Sequence, residues 1–224
     1  MTEPIGAKQR DYWWTVLAVD PVAVPVTRLL AKRHVSPDTV TWISLLFGLA
    51  VGPAFAFGTR LALIVGGVLF YVSFMFDCVD GKLARALQVS SARGKRLDEI
   101  ADGARRLSAA AGLTVGLWRM DTNDLLATPE ETFLWAAAFG LAAAYLMEIS
   151  GSGEKVHEFP EGAGWSARMA RLRLLPNPGM PDVSALVYVI GPITGLVAPC
   201  IALGGALVLI GILCIWSRLP KDSE

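Results

Sequence analysis

The chain has 224 residues, of which 54% are hydrophobic and only 18% charged. Twenty Lys and Arg balance twenty Asp and Glu; no basic surplus points to nucleic acid, and the apolar share exceeds that of an ordinary soluble domain. Cys78, Cys200 and Cys214 lie in apolar runs without the spacing of a disulfide framework or a zinc site, and His34 and His157 have no second histidine or cysteine nearby.

The pattern predicts an all-α integral membrane protein, with six transmembrane helices preceded by an N-terminal amphipathic surface helix. Residues 1–35 read as a cytoplasmic N-terminus and interfacial helix. Residues 1–10 are polar, and no short apolar core with a small-residue cleavage site follows, so they do not read as a signal peptide. Residues 11–34 combine Trp13, Trp14, Leu17, Val22, Val26, Leu29 and Leu30 with Arg28, Lys32 and Arg33. Tryptophan and cationic side chains favour the membrane–water interface, and Pro21 and Pro25 predict a break in that helix. Ser36-Pro37-Asp38 opens the first span, with Ser36 as N-cap and Pro37 at the first helical position.

A spanning helix needs about 20 mostly apolar residues. Six stretches come near that length: 40–58, 61–78, 97–117, 131–150, 183–199 and 201–216. The second is expected to continue as helix through Asp77 and Asp80. The third opens with Asp98, Glu99, Asp102, Arg105 and Arg106 and turns apolar only after Leu107, which is tolerable where the charged half faces protein or a water-filled cavity. Pro199-Cys200 is the only punctuation between the fifth and sixth. The six spans make one catalytic transmembrane domain over 36–218, with a Gly- and Pro-rich connection at 151–182 and a tail at 219–224. Most Lys and Arg, Arg60 and Arg119 excepted, fall on the side of the termini. The positive-inside rule makes that side cytoplasmic, giving a multi-pass protein of the cell inner or plasma membrane. Small residues at Gly66-Gly67, Gly112 and Gly204-Gly205 predict close helix packing, within the chain or across a homodimer.

One segment concentrates the chemistry. Asp77 and Asp80 are spaced i, i+3 and share a helical face, Ala84 adds a turn to it, and Asp98 and Asp102 are spaced i, i+4 on the next helix. Four carboxylates converge at the cytoplasmic end of two membrane helices. Bare charges there would cost at least about 2.5–3.5 kcal/mol each, and like charges repel. A divalent cation removes both problems, and all-carboxylate ligation suits Mg2+ or Mn2+ rather than zinc. Two ions about 4 Å apart are a common arrangement for displacement at phosphorus. Gly81 and Gly94 leave backbone open to a ligand, and Arg85 offers a fixed positive fork for phosphate.

Residues 77–102 resemble the signature of the CDP-alcohol phosphatidyltransferases, D-x2-D-G-x2-A-R, about eight residues, then G-x3-D-x3-D. Asp77, Asp80, Gly81, Ala84, Arg85, Gly94, Asp98 and Asp102 occupy every fixed position. Residues 36–41 are similar to a common family stretch in which asparagine is more usual at the position of Asp38. The resemblance implies that Asp77, Asp80, Asp98 and Asp102 bind a pair of Mg2+ or Mn2+ ions. It makes Asp102 the general base, and Asp80, Gly81, Ala84, Arg85 and Gly94 the lining of the CDP site. The implied reaction is attack of an acceptor hydroxyl on the donor's β-phosphorus with release of CMP, in phospholipid biosynthesis.

The implied donor is CDP-diacylglycerol; the alternative is a CDP-polar alcohol delivered to a lipid or polyol phosphate. Arg105, Arg106, Arg168, Arg171, Arg173 and Glu148 are candidates for contacting the acceptor alcohol. The fourth span, around Tyr145 to Ser150, lacks the arginine expected of the inositol-phosphate branch. A divalent-cation transporter would spread its carboxylates along a path instead of clustering them at one end. An inactive membrane scaffold would be marked by loss of a signature aspartate, and all four are present.

Overall fold

In the computed structural model, residues 5–89, 91–120, 136–140, 142–143, 164–175 and 177–218 are described. Among them the chain is helical, with one isolated parallel bridge between Asp11 and Leu174. Seven helices follow in order: α1 (Asp20–Lys32), α2 (Pro37–Ala56), α3 (Arg60–Leu87), α4 (Ala92–Arg119), α5 (Trp165–Arg171), α6 (Met180–Thr194) and α7 (Val197–Arg218). Residues 136–140 and 142–143 are also helical; the rest of the expected fourth span lies outside the described residues.

Local chemistry sets the ends of the helices. Ser36 Oγ accepts the amide of Thr39 at 3.2 Å and Pro37 takes the first position of α2, as the sequence predicts. Thr59 and Ser91 cap α3 and α4 in the same way. The surface helix differs from its expected form. Pro21 falls in the first turn of α1, where its missing N–H has no helical partner to lose, so no break occurs there. Pro25 is absorbed inside the helix, and a wide π turn at Thr15–Val19 precedes it. The boundary between the last two helices also moves. α6 ends at Gly195, whose φ of +85° is the left-handed conformation that glycine tolerates. Pro199 lies in the first turn of α7, where proline does not interrupt.

α2, α3 and α4 form the tightest part of the molecule. Gly52 of α2 faces Ser108 and Gly112 of α4, Gly48 faces Arg105, and Gly116 faces the Phe55 backbone; a Cβ added at Gly112 would collide with the backbone of Gly52. Small residues thus meet across the seam, an arrangement that lets helices approach closely. The Ser108 hydroxyl donates to the Leu49 carbonyl and accepts from the Gly52 amide, both at 3.0 Å. Between α2 and α3, Ser44 and Ser73 exchange hydroxyl-to-carbonyl bonds of 2.9 and 2.8 Å in the buried core. Outward faces are apolar: Leu46, Phe57, Leu61, Leu107, Trp118 and Leu213 are all exposed, an arrangement that suits lipid rather than water. Among the described residues, α2 and α3 are long and apolar enough to cross a membrane, while α6 and the apolar part of α7 are shorter.

α3 and α4 each have 28 residues, or about 42 Å at 1.5 Å per residue. A bilayer core is about 30 Å thick. Asp77 and Asp80 stand about 25–30 Å along α3, which puts them at the far rim of such a core.

Candidate functional site

A cavity of about 690 Å³ opens where the end of α3 meets the start of α4 and the start of α2. Five of the expected residues line it: Asp80, Gly81 and Ala84 from α3, and Gly94 and Asp98 from α4. The turn that joins these helices is tight: Gln88 closes α3 in the left-handed conformation with φ 54°, and the Ser91 hydroxyl accepts the Gly94 amide at 2.9 Å. Gly94 is closely surrounded: a Cβ there would stand 3.0 Å from Ser91 Oγ and 3.1 Å from Asp38 Oδ1, and both side chains would have to give way by a few tenths of an ångström. Gly81 is different. Only the Arg85 guanidinium comes near its position, so the missing side chain leaves room for a ligand rather than for protein.

Asp80 is 5% exposed, and its Oδ2 is buried without a hydrogen-bond partner. An unpaired buried carboxylate oxygen is costly, and a cation is its natural partner. Asp98 is exposed on the facing helix. The other two signature aspartates are turned onto arginines. Asp77 Oδ1 accepts from Arg105 Nη1 at 3.3 Å, Asp102 Oδ1 accepts from Arg105, and Asp102 Oδ2 accepts from Arg106. With the side chains so arranged, no three carboxylates, imidazoles or thiols among the described residues form a ready ligand set. The donor chemistry nevertheless fits a hard divalent ion: all-oxygen carboxylates, with one buried oxygen unpaired.

Other expected residues fall elsewhere. Arg85 Nε donates to the Gly6 carbonyl at 2.7 Å, and Arg85 is not among the residues lining the cavity. Arg105 is buried beneath the aspartates. Arg173 bridges to Asp20 Oδ2 at 3.2 Å and donates to the Lys8 carbonyl at 3.1 Å. Arg168 and Arg171 are exposed on α5. Glu148 lies outside the described residues. The cavity also enlists His34, Asp38, Thr41 and Lys95, which the sequence reading gave no role. Their signal was the stretch from Ser36 to Thr41 and the position of Lys95 between the two halves of the signature.

A second buried charge cluster braces α3 from its other side. Lys82 is 1% exposed, and its Nζ lies 2.9 Å from Asp20 Oδ1 in α1. The strand-like segment at Asp11 pairs with Leu174, Trp13 Nε1 donates to the Leu175 carbonyl at 2.6 Å, and Asp182 accepts the Trp14 amide at 2.6 Å. The Lys82–Asp20 pair holds α1 against the end of α3 that carries the site, and the other contacts tie the segment before α1 to residues 174–182.

Residues 34–153, more than half of the chain, match the sequence profile described as CDP-alcohol phosphatidyltransferase. No curated protein sequence matches significantly. Among solved structures, the chain is similar to Mycobacterium tuberculosis phosphatidylinositol phosphate synthase with CDP-DAG bound. That likeness has a TM-score of 0.60 at 17% identity, covering 89% of this chain and 92% of that one. The same enzyme in complex with manganese and citrate gives a TM-score of 0.57 at 16% identity, covering 91% and 93%. At such identities the likeness establishes the fold.

Proposed function

The chain belongs to the CDP-alcohol phosphatidyltransferase family, and from that premise we propose that it transfers a substituted phosphate from CDP-diacylglycerol to an alcohol acceptor, with release of CMP. One observation carries the reading: both halves of the signature meet at a single cavity, and the most buried carboxylate in it has an oxygen with no protein partner.

The residues divide the task. Asp77, Asp80 and Asp98 would hold Mg2+ or Mn2+, as a pair, with Asp102 beside them. Gly81, Ala84 and Gly94 leave the floor of the cavity open to the diphosphate, and Arg85, one turn beyond Gly81, would supply a fixed positive fork. Asp38 and Thr41 at the opposite wall can exchange hydrogen bonds with a cytosine edge, which offers both a donor amine and acceptors. Bound divalent ions would offset charge on the diphosphate and on the departing CMP. An acceptor hydroxyl attacks the phosphorus that bears the lipid. A new oxygen–phosphorus bond forms, the bond from that phosphorus to the bridging oxygen breaks with its electron pair leaving on CMP, and Asp102 takes the hydroxyl proton.

The six-span plan belongs to the same proposal, with α2, α3, α4, the segment around 136–143, α6 and α7 as the spans and the cavity on the cytoplasmic side of the plasma membrane. The structures it resembles are of a phosphatidylinositol phosphate synthase, yet residues 131–150 lack the arginine expected of an inositol-phosphate branch. Glycerol phosphate, inositol, inositol phosphate and serine therefore stand as acceptors to be compared. The test is CMP release by purified protein in detergent with each acceptor and CDP-diacylglycerol, beside CDP-choline and CDP-ethanolamine with diacylglycerol. CMP with one pair, and only when Mg2+ or Mn2+ is present, is the expected result. No CMP from any pair overturns the proposal.

A further inference from the structure

Arg105 lies one turn beyond Asp102 on α4 and is 2% exposed. Its guanidinium stands 5.8 Å from the ring centre of Phe70 and 5.3 Å from that of Phe74, both on α3. Its Nη1 donates to Asp77 on α3, and its Nη2 donates to Asp102 on α4. A single planar fork therefore ties together two carboxylates from different helices. α2 closes the remaining side, where a Cβ at Gly48 would come 3.0 Å from Arg105 Cβ. Nε is buried and makes no hydrogen bond, so the two carboxylates and the two rings fix the group. Arg106 is unlike it. That side chain is 27% exposed and, among the described residues, its ion pair is with Asp102. Arg105, by contrast, is enclosed by three helices.

We propose that Arg105 is a positioning residue for the metal-binding carboxylates: a resident cation that fixes one oxygen each of Asp77 and Asp102, so that these two side chains, with Asp80 and Asp98, are oriented to hold a divalent ion. The inference rests on the transferase reading only in taking these aspartates as ligands. Burial removes Arg105 from the acceptor's path, and its fork does what a lysine cannot, because the two donors have a fixed separation and plane. A cation held there also relieves the mutual repulsion of the aspartates when no ion is present. Groups that orient metal ligands typically change metal affinity or activity 10–100-fold when removed.

The test is binding of Mn2+ alone to purified protein in detergent, by electron paramagnetic resonance or calorimetry, for Arg105→Met, Arg105→Lys and Arg106→Gln. Arg105→Met is expected to weaken Mn2+ binding about 10–100-fold. Arg105→Lys keeps the charge, loses the fork and recovers part of the affinity. Arg106→Gln is expected not to weaken it. At saturating Mn2+, Arg105→Lys should lower kcat more than it raises KM for the donor. Unchanged or tighter Mn2+ binding by a folded Arg105→Met protein overturns the proposal, because the arginine would then be mere packing or a competitor of the ion. If Arg105→Met does not fold, wild-type affinity in Arg105→Lys overturns the fork requirement. Dependence of Mn2+ binding on Arg105, with no CMP released from any donor, would sustain this inference while sinking the transferase reading. An unmutated protein that binds no Mn2+ would sink the ligand assignment and this inference with it.

Discussion

α3 carries a buried charge cluster on each of two faces, and the two differ in how they balance. Toward α1, one carboxylate, Asp20, is shared by two cations, Lys82 and Arg173. Toward α4, four aspartates face two arginines, and Asp80 Oδ2 is left bare. Both clusters use the same ingredients at the same end of the same helix. The first is closed by charge: Lys82 lies 2.9 Å from Asp20 Oδ1 and Arg173 lies 3.2 Å from Oδ2, so each oxygen faces a cation even though Oδ1 makes no aligned hydrogen bond, and none of its three residues lines the cavity of the second. The second has surplus negative charge beside a cavity of about 690 Å³. A buried ion-pair cluster with its charge satisfied is a brace; one with negative charge left over beside open space is a place for a cation.

The sharpest way to break that contrast is to neutralise the bare oxygen. Asp80→Asn should lower CMP release by about 10³-fold or more, since a metal ligand supplies several kcal/mol of charge stabilisation in the transition state. The same change removes an uncompensated buried charge, so in EDTA the thermal midpoint should hold or rise. A fall in both activity and metal-free stability would mean that Asp80 is a structural partner and the contrast is false. The brace should respond in the opposite way. Asp20→Asn strands the buried Lys82 ammonium and should cost about 3–5 kcal/mol, read as a lowered midpoint, with Mn2+ affinity unchanged in the folded fraction. Replacing both partners, Asp20→Leu with Lys82→Met, should recover much of the loss.

The two clusters were also unequally legible in the sequence. The signature aspartates repeat at i, i+3 and i, i+4 on helices joined by a short turn, and such local spacing is visible without a fold. Asp20 and Lys82 are far apart in sequence and pair only because α1 docks across the end of α3. No periodicity announces that, and Lys82 looked like a spacer within the signature. Arg105 illustrates the same limit. Its charge was visible, and its burial between Phe70 and Phe74 was not. Ser36 and Pro37 were legible because capping is a matter of neighbouring residues. The end of α6 was not, because Pro199 draws the eye as a breaker while the conformational freedom of Gly195 does the terminating.

The close seam between α2 and α4 is what brings the starts of these helices to either side of the cavity. Gly112→Ala places a methyl group against the Gly52 backbone, and overpacking of this kind costs about 1–3 kcal/mol. If the seam also sets the separation of Asp38 from Asp98 across the cavity, the donor KM should rise along with the loss of stability. A lowered thermal midpoint with an unchanged KM would show that the helices yield away from the site instead.

The smallest expected effect decides the role of Arg173. It reaches Asp20 from a partly exposed position, with 29% of its side chain accessible. An ion pair with that much access to solvent contributes at most about 1 kcal/mol, and Asp20 keeps Lys82 when it is lost. Arg173→Ala should therefore lower the thermal midpoint by only a degree or two and leave the acceptor KM unchanged. If the acceptor KM rises severalfold while the midpoint stays put, Arg173 serves the substrate rather than the brace. The cluster toward α1 would then be no closed structure but a second edge of the site, and satisfied charge would no longer separate the two faces of α3.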